Sequence, residues 1–459
     1  MFINKKNNEF HFGKDDFLGS ELACSCERLV QGILAVGGSA SGKTNRVMIP
    51  FFSSLLRLRM RQHENERWGA LILDPKISFA SRLIDLVHKA GMKDDLDVLN
   101  EHQQITLNPL LSGLDGQKLA EFIVRSLHAG KPMSMSSGAA YFESRALALL
   151  GNLITVALFA SRPCLKLVSE MVDALILSRQ LDSSDPRASD ALRRIEIFSE
   201  GEEKERRMVL DSVSNYIEPF RHMPWKNIFW EFGPFNLDRI RDEGRILIAA
   251  FSPNKVNHLS SGLFLVKMLF YSVVMDRQSI EFNGNRERIC LFAVDEFQQV
   301  ASGNSDADFL AVRREARCAP IFAFQQITQL ESIIPNDWKN VLGLLNTKIV
   351  LRLTDMETAL WAEKLCGFNE EDVDSVTRVA DSMQLFYHET SLTTSPRTQP
   401  RVPADYFLSL PDGDALIIND RRRLAWLPAH GMTPEQEINW RKKYWPDRLR
   451  LLHPRDFRQ

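Results

Sequence analysis

Hydrophobic residues follow one pattern near both ends of this chain and another pattern between them. Continuous apolar runs, typical of strands buried on both faces of a parallel sheet, occupy residues 32–37, 70–73, 245–251, 289–294, 320–324 and 347–353. Helical patterns separate these runs, at residues from about 44 to the Arg-rich segment 57–67, at 77–89 and at 355–366. The alternation predicts an α/β fold with a mainly parallel sheet.

The second pattern fills residues 113–224, where apolar residues recur at helical spacing, as in Leu147, Leu150, Ile154 and Leu158. Because no β-rich run interrupts it, we predict an inserted all-α domain. Within this domain, residues 130–138 are expected to form a flexible connection and residues 200–207 a solvated helix face.

The last part of the chain is more polar. Residues 391–403 are rich in Ser, Thr and Pro, which predicts a loop, and two short apolar runs at 415–419 and 424–427 suggest a hairpin. Residues 421–459 carry ten Lys or Arg against four Asp or Glu, an excess of +6. This charge can contact DNA, dock on an acidic partner or membrane face, or only form a solvated surface.

Composition excludes several classes of protein. The 459 residues are 44% hydrophobic and 25% charged, so the chain is neither disordered nor fibrous. The 57 Lys and Arg nearly balance the 59 Asp and Glu, giving a net charge of −2. A surface for nucleic acid therefore has to be local.

Cysteine spacing and hydropathy indicate the compartment. The six cysteines are scattered without a C-x-x-C pair, which argues against a zinc site or a disulfide framework and fits a reducing environment. The N-terminus has no apolar signal core, and the longest nearly uncharged run, residues 146–161, is shorter than the ~20 residues that a bilayer needs. We expect a soluble, cytoplasmic chain with no membrane span of its own.

A phosphate-binding motif follows the first predicted strand. The sequence G-x-x-x-x-G-K-[ST], with a strand before it and a helix after it, is met by Gly37, Gly38, Ser39, Ala40, Ser41, Gly42, Lys43 and Thr44. Its glycines let backbone N–H groups and the helix N-terminus point at a β-phosphate. Lys43 would bridge the β- and γ-phosphates and the Thr44 hydroxyl would bind Mg²⁺, so ATP and Mg²⁺ are the expected ligands.

Two carboxylates end the predicted strand 289–294. Asp295 is expected to supply the second anchor for Mg²⁺ from the carboxyl edge of a neighbouring strand. Glu296 would then polarise the attacking water, because a hydrolase needs a base within reach of it. Asp74, at the end of its own strand, is the alternative metal ligand, although Asp-Pro is also a common turn opener.

Arginine and glutamine residues follow this second motif. The helical stretch 308–317 ends in Arg313, Arg314 and Arg317, and the next strand is followed by Gln325. An arginine from a neighbouring subunit can neutralise charge on a γ-phosphate, and a glutamine at a strand end can orient water. From the residues alone, a solvated basic face is the simpler interpretation of the arginines.

The order of these motifs resembles that of the coupling ATPases of type IV secretion and conjugation systems, over residues 29–426. Those proteins show a Ser-Gly-Lys-Thr loop, an Asp-Pro-Lys segment as at 74–76, an all-helical insertion and an Asp-Glu-Phe segment as at 295–297. An Arg follows, then a strand ending in Gln, a Gln-Leu as at 329–330, a segment like 347–352 and a Leu-Pro-x-Gly as at 410–413.

The resemblance implies a RecA-like P-loop NTPase that works as a homohexameric motor on DNA. It gives Lys43, Thr44, Asp295 and Glu296 the ATPase roles stated above. It also implies that Gln325 is the sensor glutamine and that Arg314, by spacing, is the arginine acting in trans, with Arg313 and Arg317 as its neighbours.

The hydrophobic patterns divide the chain into regions, and the resemblance implies partners. The expected regions are an N-terminal segment (1–28), two parts of a nucleotide-binding domain (29–112 and 229–430), the helical insertion (113–228) and a basic tail (431–459). The insertion is implied to help recognise cargo such as a relaxase or effector protein.

Two departures from the family pattern matter. Members usually begin with a pair of transmembrane helices, and without them we expect docking at the inner face of the cell membrane through a partner such as a secretion-channel component. In addition, Ile77 follows Asp74-Pro75-Lys76 where the family commonly has Gly, so we assign no role to that segment.

Three functions stay open. The first is an ATP-hydrolysing coupling motor that translocates DNA, nucleoprotein or protein cargo, and the ordered motifs favour it. The second is a cytosolic hexameric DNA pump or helicase for DNA processing or defence, which the missing transmembrane helices favour. The third is a nucleotide-gated adaptor for protein cargo, against which the intact Asp295, Glu296 and Gln325 argue.

Overall fold

The computed structural model describes residues 29–102, 105–129, 139–177, 185–251, 258–379 and 388–418, with the shorter pieces 2–4, 9–15, 20–25, 179, 256 and 424–427. The predicted connection 130–138 and the predicted basic tail 431–459 lie outside the described residues.

The strands follow the chain in this order: β1 (Phe2–Asn4), β2 (Glu9–Asp15), β3 (Ser20–Ser25), β4 (Ile33–Val36), β5 (Gly69–Asp74), β6 (Leu96–Leu99), β7 (Ile246–Ala250), β8 (Cys290–Val294), β9 (Cys318–Phe324), β10 (Thr347–Leu351), β11 (Phe368–Val379), β12 (His388–Pro400), β13 (Ala415–Ile418) and β14 (Leu424–Leu427).

The α-helices are α1 (Ile49–Arg59), α2 (Ser78–Lys89), α3 (Gly116–Ser126), α4 (Ala139–Leu158), α5 (Leu165–Ile176), α6 (Ser189–Ser199), α7 (Glu203–Ile217), α8 (Asp238–Asp242), α9 (Leu259–Met275), α10 (Gly303–Val312), α11 (Ile327–Ile333), α12 (Trp338–Leu344), α13 (Met356–Cys366) and α14 (Ala404–Ser409). Wider π-helical turns over Lys43–Met48 lead into α1.

Nine strands of the described residues form one sheet, in the order β14-β13-β10-β4-β9-β8-β5-β7-β6. Pairing is parallel from β10 to β6, and β13 and β14 add an antiparallel edge. The predicted α/β class, the mainly parallel sheet and the hairpin of β13 with β14 are therefore confirmed. Val36 pairs with Phe324, and Leu73 pairs with Val294. This register brings the carboxyl ends of β4, β9, β8 and β5 to the same edge of the sheet.

The central strands are buried on both faces, which explains their continuous apolar sequences. In β4, Leu34 and Val36 face one half of the core while Ile33 and Ala35 face the other. Helices α1 and α2 contribute to the second half, where the rings of Phe52 and Phe79 lie 5.6 Å apart. The first half is covered by α9, α10 and the helices between β6 and β7.

Helices α3 to α7 make up the insertion, and its core is continuous with that face of the sheet. Leu150, Leu153 and Ile154 of α4 are completely buried, so this apolar helix is the centre of the insertion. Residues 200–207 are exposed or half-buried, as predicted for a solvated face, although the helix begins only at Glu203.

One helical stretch of the described chain, Leu259–Gln278, is long and apolar enough to cross a membrane. About 72% of its most apolar window is buried inside the fold, however, as in the core helix of a globular domain. It is a different segment from the apolar run 146–161 noted in the sequence.

The predicted loop at residues 391–403 is wrong, because most of it belongs to β12. Strand β12 pairs with β11 in an antiparallel two-stranded ribbon, in which Phe368 lies opposite Pro400 and Asp372 opposite Pro396. In a two-stranded ribbon each strand has one unpaired edge, where a proline costs no hydrogen bond, and threonine favours strand geometry. Composition alone therefore misidentified a strand as a loop.

Candidate nucleotide-binding site

The phosphate loop lies at the carboxyl edge of the sheet, between β4 and the π-helical turns. Its first residues are fixed by neighbouring strands, since the Gly37 N–H donates to the Phe324 carbonyl (3.4 Å) and the Gly38 N–H donates to the Arg352 carbonyl (2.8 Å). The loop thus rests on the ends of β9 and β10, beside the loops that carry the other motifs.

A second turn supports the loop from outside. The Gly413 N–H donates to the Ser41 carbonyl (3.0 Å), and a Cβ on Gly42 would lie only 3.2 Å from the Gly413 Cα. Gly42 also has a φ of +99°, a conformation that glycine adopts without strain. The motif's second glycine is therefore required both by its backbone angle and by the turn that ends at Gly413.

Lys43 is buried and folds over its own loop. Its Nζ donates to the carbonyls of Gly37 (2.5 Å) and Gly38 (3.3 Å). Burial lowers the pKa of Lys43, while the nearby carboxylates of Glu296 and Asp295 oppose that shift. The ammonium group therefore contacts the phosphate loop and lies near enough to the two carboxylates to feel their charge.

Thr44 and Asp295 meet, as their proposed shared role requires. The Thr44 hydroxyl donates to Asp295 Oδ2 over 3.4 Å. Strand β8 does not adjoin β4, contrary to the expectation of a neighbouring strand, because β9 is inserted between them. The side chains nevertheless converge, since all three strands end at one edge.

Asp295 has the properties of a metal ligand. It is buried, and its Oδ1 has no hydrogen-bond partner among the described residues. Burial and the carboxylates of Asp74 and Glu296 raise the pKa of Asp295 to about 6. A divalent cation would supply the missing partner and offset the repulsion. The described residues hold no cluster of three or more His, Cys, Asp or Glu suited to a metal, so Mg²⁺ would take its remaining ligands from phosphate and water.

Glu296 is held by three side chains from three loops. Its Oε1 accepts from Gln325 Nε2 (2.9 Å) and from Lys76 Nζ (2.8 Å), and its Oε2 accepts from Gln298 Nε2 (2.6 Å). Burial alone would raise the pKa of Glu296, but the hydrogen bonds from Gln325, Lys76 and Gln298 lower it below its ordinary value. The structure thus brings Glu296 and Gln325 together, and it adds Lys76 and Gln298.

Asp74 fulfils a structural role. Its Oδ1 accepts from the Lys76 N–H (2.9 Å), and its Oδ2 accepts from the N–H groups of Phe79 and Ala80 (both 2.8 Å). It therefore binds the first turn of α2, although burial raises its pKa. With both oxygens so engaged, it is a poor rival to Asp295 as a metal ligand.

The three arginines lie at the opposite edge of the sheet, where β9 begins. Arg313 is buried and donates to the carbonyls of Leu310, Gln31 and Leu344, and burial lowers its pKa to about 10. Arg317 contacts the Glu287 carbonyl (3.3 Å), whereas Arg314 is exposed. The seven residues of β9, at about 3.3 Å each, place these arginines roughly 20 Å from Gln325. None of them reaches the phosphate loop of its own chain, and Arg313 is engaged in holding the fold.

Residues 290–412, just over a quarter of the chain, match the family model described as the TraM recognition site of TraD and TraG. A search of curated protein sequences finds no match.

Solved structures match over nearly the whole length. The unbound bacterial conjugative coupling protein TrwBdeltaN70 superposes with a TM-score of 0.64 at 16% identity, covering 94% of this chain and 90% of the other. TrwB in complex with ADP and Mg²⁺ gives 0.62 at 15% identity, with 94% and 91% covered. VirB4 of Thermoanaerobacter pseudethanolicus gives 0.53 at 12% identity, with 95% and 100% covered. This chain resembles the type IV coupling ATPases.

The similarity confirms the family resemblance and the fold class predicted from the ordered motifs. A coupling-protein-like P-loop fold explains why the site lies between two distant parts of the sequence, since the helices of the insertion come between β6 and β7. The sequence reasoning missed three residues around Glu296: Lys76, Gln298 and Gln329. A signal existed for Lys76 and for Gln329, because both lie in segments shared with the coupling ATPases, Asp-Pro-Lys and Gln-Leu. Nothing in the sequence linked Gln298 to the base.

Proposed function

We propose that this chain is a coupling-protein-like motor that hydrolyses ATP to move DNA, or a nucleoprotein or protein cargo, toward a type IV secretion or conjugation channel. The observation that carries the proposal is the meeting of Lys43, Thr44, Asp295, Glu296 and Gln325 at one edge of the sheet. The similarity to TrwB in complex with ADP and Mg²⁺ supports the choice of nucleotide and metal.

Each residue has a chemical task in this proposal. Lys43 binds the β- and γ-phosphates, and the loop N–H groups and the helix N-terminus bind the β-phosphate. When bound, Mg²⁺ would neutralise charge on the phosphates, held by the Thr44 hydroxyl and the unpaired Oδ1 of Asp295. Glu296 accepts a proton from the water whose oxygen attacks the γ-phosphorus, while the bond to the leaving ADP oxygen breaks. Gln325, bonded to Glu296, orients that water.

A homohexameric ring would complete the site. Arg314 is exposed at the edge of the sheet away from its own phosphate loop, so it can act only on the nucleotide of another subunit. An arginine supplied in trans stabilises charge on the γ-phosphoryl group during transfer. We place the ring in the cytoplasm, docked at the membrane through a partner.

A protein partner forms part of this proposal. The matching family model is described as the TraM recognition site of TraD and TraG, which supports a comparable docking role for residues 290–412. Binding of a relaxase or a secretion-channel component would separate a coupling motor from a cytosolic DNA pump, which needs neither.

ATP turnover of the purified chain tests the proposal directly. It should be measured without nucleic acid, with single strands and with duplex, at two salt concentrations, because phosphate contacts make DNA binding salt-dependent. We expect stimulation by DNA that weakens at higher salt and disappears in Lys43→Ala. An ATP turnover rate that DNA does not change in any assembly state would contradict a DNA motor and favour protein cargo.

A mixing experiment tests the arginine in trans. Lys43→Ala and Arg314→Ala should each be nearly inactive, and their mixture should regain part of the activity, because some sites then combine an intact Lys43 with a neighbour's intact Arg314. The control is Arg207→Ala, which removes an exposed arginine paired with Glu203 in the helical insertion and should leave turnover unchanged. No recovery on mixing would remove Arg314 from the site.

A further inference from the structure

Lys76 lies outside every motif to which the sequence assigned a role, yet it contacts the proposed base. Its backbone is fixed, because its N–H donates to Asp74 Oδ1 (2.9 Å) and the next residue, Ile77, has a φ of +65°. Its side chain is 48% exposed, and its Nζ lies 2.8 Å from Glu296 Oε1. A fixed backbone thus presents a cation to the carboxylate of Glu296, whose side chain is only 5% exposed.

The strand order explains why Lys76 is well placed. Strand β8, which ends just before Asp295 and Glu296, lies between β9 and β5. Gln325 follows β9 and Lys76 follows β5, so the carboxylate that follows the middle strand is held from both sides.

The backbone at Glu296 is itself strained. Glu296 has φ and ψ of 59° and 55°, a left-handed conformation that residues with a side chain adopt at a cost. Gln298 binds the other oxygen and in turn donates to Gln329 (3.2 Å). These amide donors are neutral, whereas Lys76 supplies a positive charge in direct contact with Glu296.

We propose that Lys76 is a positioning residue for Glu296. It holds the Glu296 carboxylate in the orientation in which that carboxylate accepts a proton from the attacking water. The inference rests on the proposed ATPase function. A displacement of about 1 Å at a reacting group can lower a rate roughly a hundredfold, so loss of this pair is expected to affect the chemical step more than nucleotide binding.

The test compares Lys76→Met, Lys76→Arg and the unaltered chain in ATP turnover without DNA. We expect Lys76→Met to lower kcat about 10- to 100-fold with KM changed less than about threefold. Lys76→Arg keeps a cation within reach of Glu296 and should recover most of the rate. A purely structural role for the methylene stem predicts no loss in either variant, because methionine and arginine both keep a stem. A loss in Lys76→Met that Lys76→Arg recovers therefore indicates the positive charge.

A matched control and a double substitution sharpen the result. Lys118 pairs with Glu121 at 3.1 Å and is also 48% exposed, so Lys118→Met removes a similar ion pair and should leave kcat unchanged. In single-turnover experiments, Lys76→Met added to Glu296→Gln should cause no further loss, since residues that act through one another are not additive. Thermal melting and binding of a fluorescent ADP analogue should match the unaltered chain, which shows that the fold is intact.

The outcomes separate this inference from the function on which it rests. No turnover by the unaltered chain in any assembly state would overturn the proposed function and this inference with it. Clear turnover that Lys76→Met leaves intact, or an equal loss in Lys76→Arg, would overturn the positioning role alone.

Discussion

The two edges of the central sheet use charged residues in different ways. At the amino edge, buried arginines donate to backbone carbonyls that precede the strands: Arg59 to Trp68, Arg277 to Arg288 and Ala316, Arg288 to Glu64 and Arg67, and Arg313 to Gln31 and Leu344. At the carboxyl edge, Asp295 and Glu296 are bonded to side chains of other loops.

The difference indicates which charges can take part in chemistry. A guanidinium group bound to several backbone carbonyls cannot leave without exposing them, so it holds the loops at the starts of the strands. A carboxylate bound to side chains can change partners, and Asp295 Oδ1 has none among the described residues. This division follows the general rule that ligands bind outside the carboxyl ends of strands in open α/β sheets.

The largest expected effect is the loss of turnover in Glu296→Gln. The amide keeps the shape of the carboxylate but cannot accept a proton, and a general base typically contributes about 10²- to 10⁴-fold to a rate. We expect kcat to fall by that factor while nucleotide affinity and melting temperature stay close to those of the unaltered chain. Turnover within tenfold of the original would show that this carboxylate is not the base.

The next largest effect is the loss of stability caused by a substitution at the amino edge. Arg313→Met removes the donors to Leu310, Gln31 and Leu344, and hydrogen bonds to charged groups are worth about 1.5–3 kcal/mol each. We expect the free energy of unfolding to fall by about 3 kcal/mol or more, measured by chemical denaturation. Its exposed neighbour provides the control, since Arg314→Met should change stability by less than ~0.5 kcal/mol. Equal effects at the two positions would refute the assignment of Arg313 to the fold.

The smallest expected effect is a change in melting temperature, measured for two carboxylates at the carboxyl edge. A ligand at a hundred times its Kd stabilises a fold by about 2.7 kcal/mol, so ADP with Mg²⁺ should raise the melting temperature. The Mg²⁺-dependent part of this shift is the part that a chelator abolishes. We expect Asp295→Asn to lose it and Asp74→Asn to keep it, because the oxygens of Asp74 bind backbone N–H groups. A Mg²⁺-dependent shift that Asp295→Asn leaves unchanged would exclude that residue as a ligand.

Much of the fold and part of the site could be predicted from sequence. The continuous apolar runs identified β4, β5, β7, β8, β9 and β10 because both faces of these strands are buried. The edge strand β6 was missed, since Asp97 interrupts its short apolar run. The strands β1 to β3 were missed as well, because the N-terminal segment shows no such run.

At the site, the motifs identified the residues but not their contacts. The insertion of β9 between β4 and β8 is a property of strand order, which no local pattern encodes. The burial of Arg313 could not be predicted from the sequence either, since arginine is normally exposed and its partners Gln31 and Leu344 are distant in sequence. Lys76 was recognised as part of a motif but given no role, because Ile77 departs from the family pattern. Its contact with Glu296 depends on which strand lies beside β5, which no local pattern encodes.

Strand β9 connects two residues of the proposed catalytic machinery, one beyond each of its ends. Gln325 follows one end, bonded to Glu296, and the exposed Arg314 precedes the other. All seven residues of the strand are buried, and the strand is paired on both sides, so a shift along its neighbours would break backbone hydrogen bonds on both sides. In the proposed ring, each β9 would connect one nucleotide site, through Gln325, with the next site, through Arg314. We then expect ATP hydrolysis in neighbouring subunits to be coupled with no rearrangement of the core.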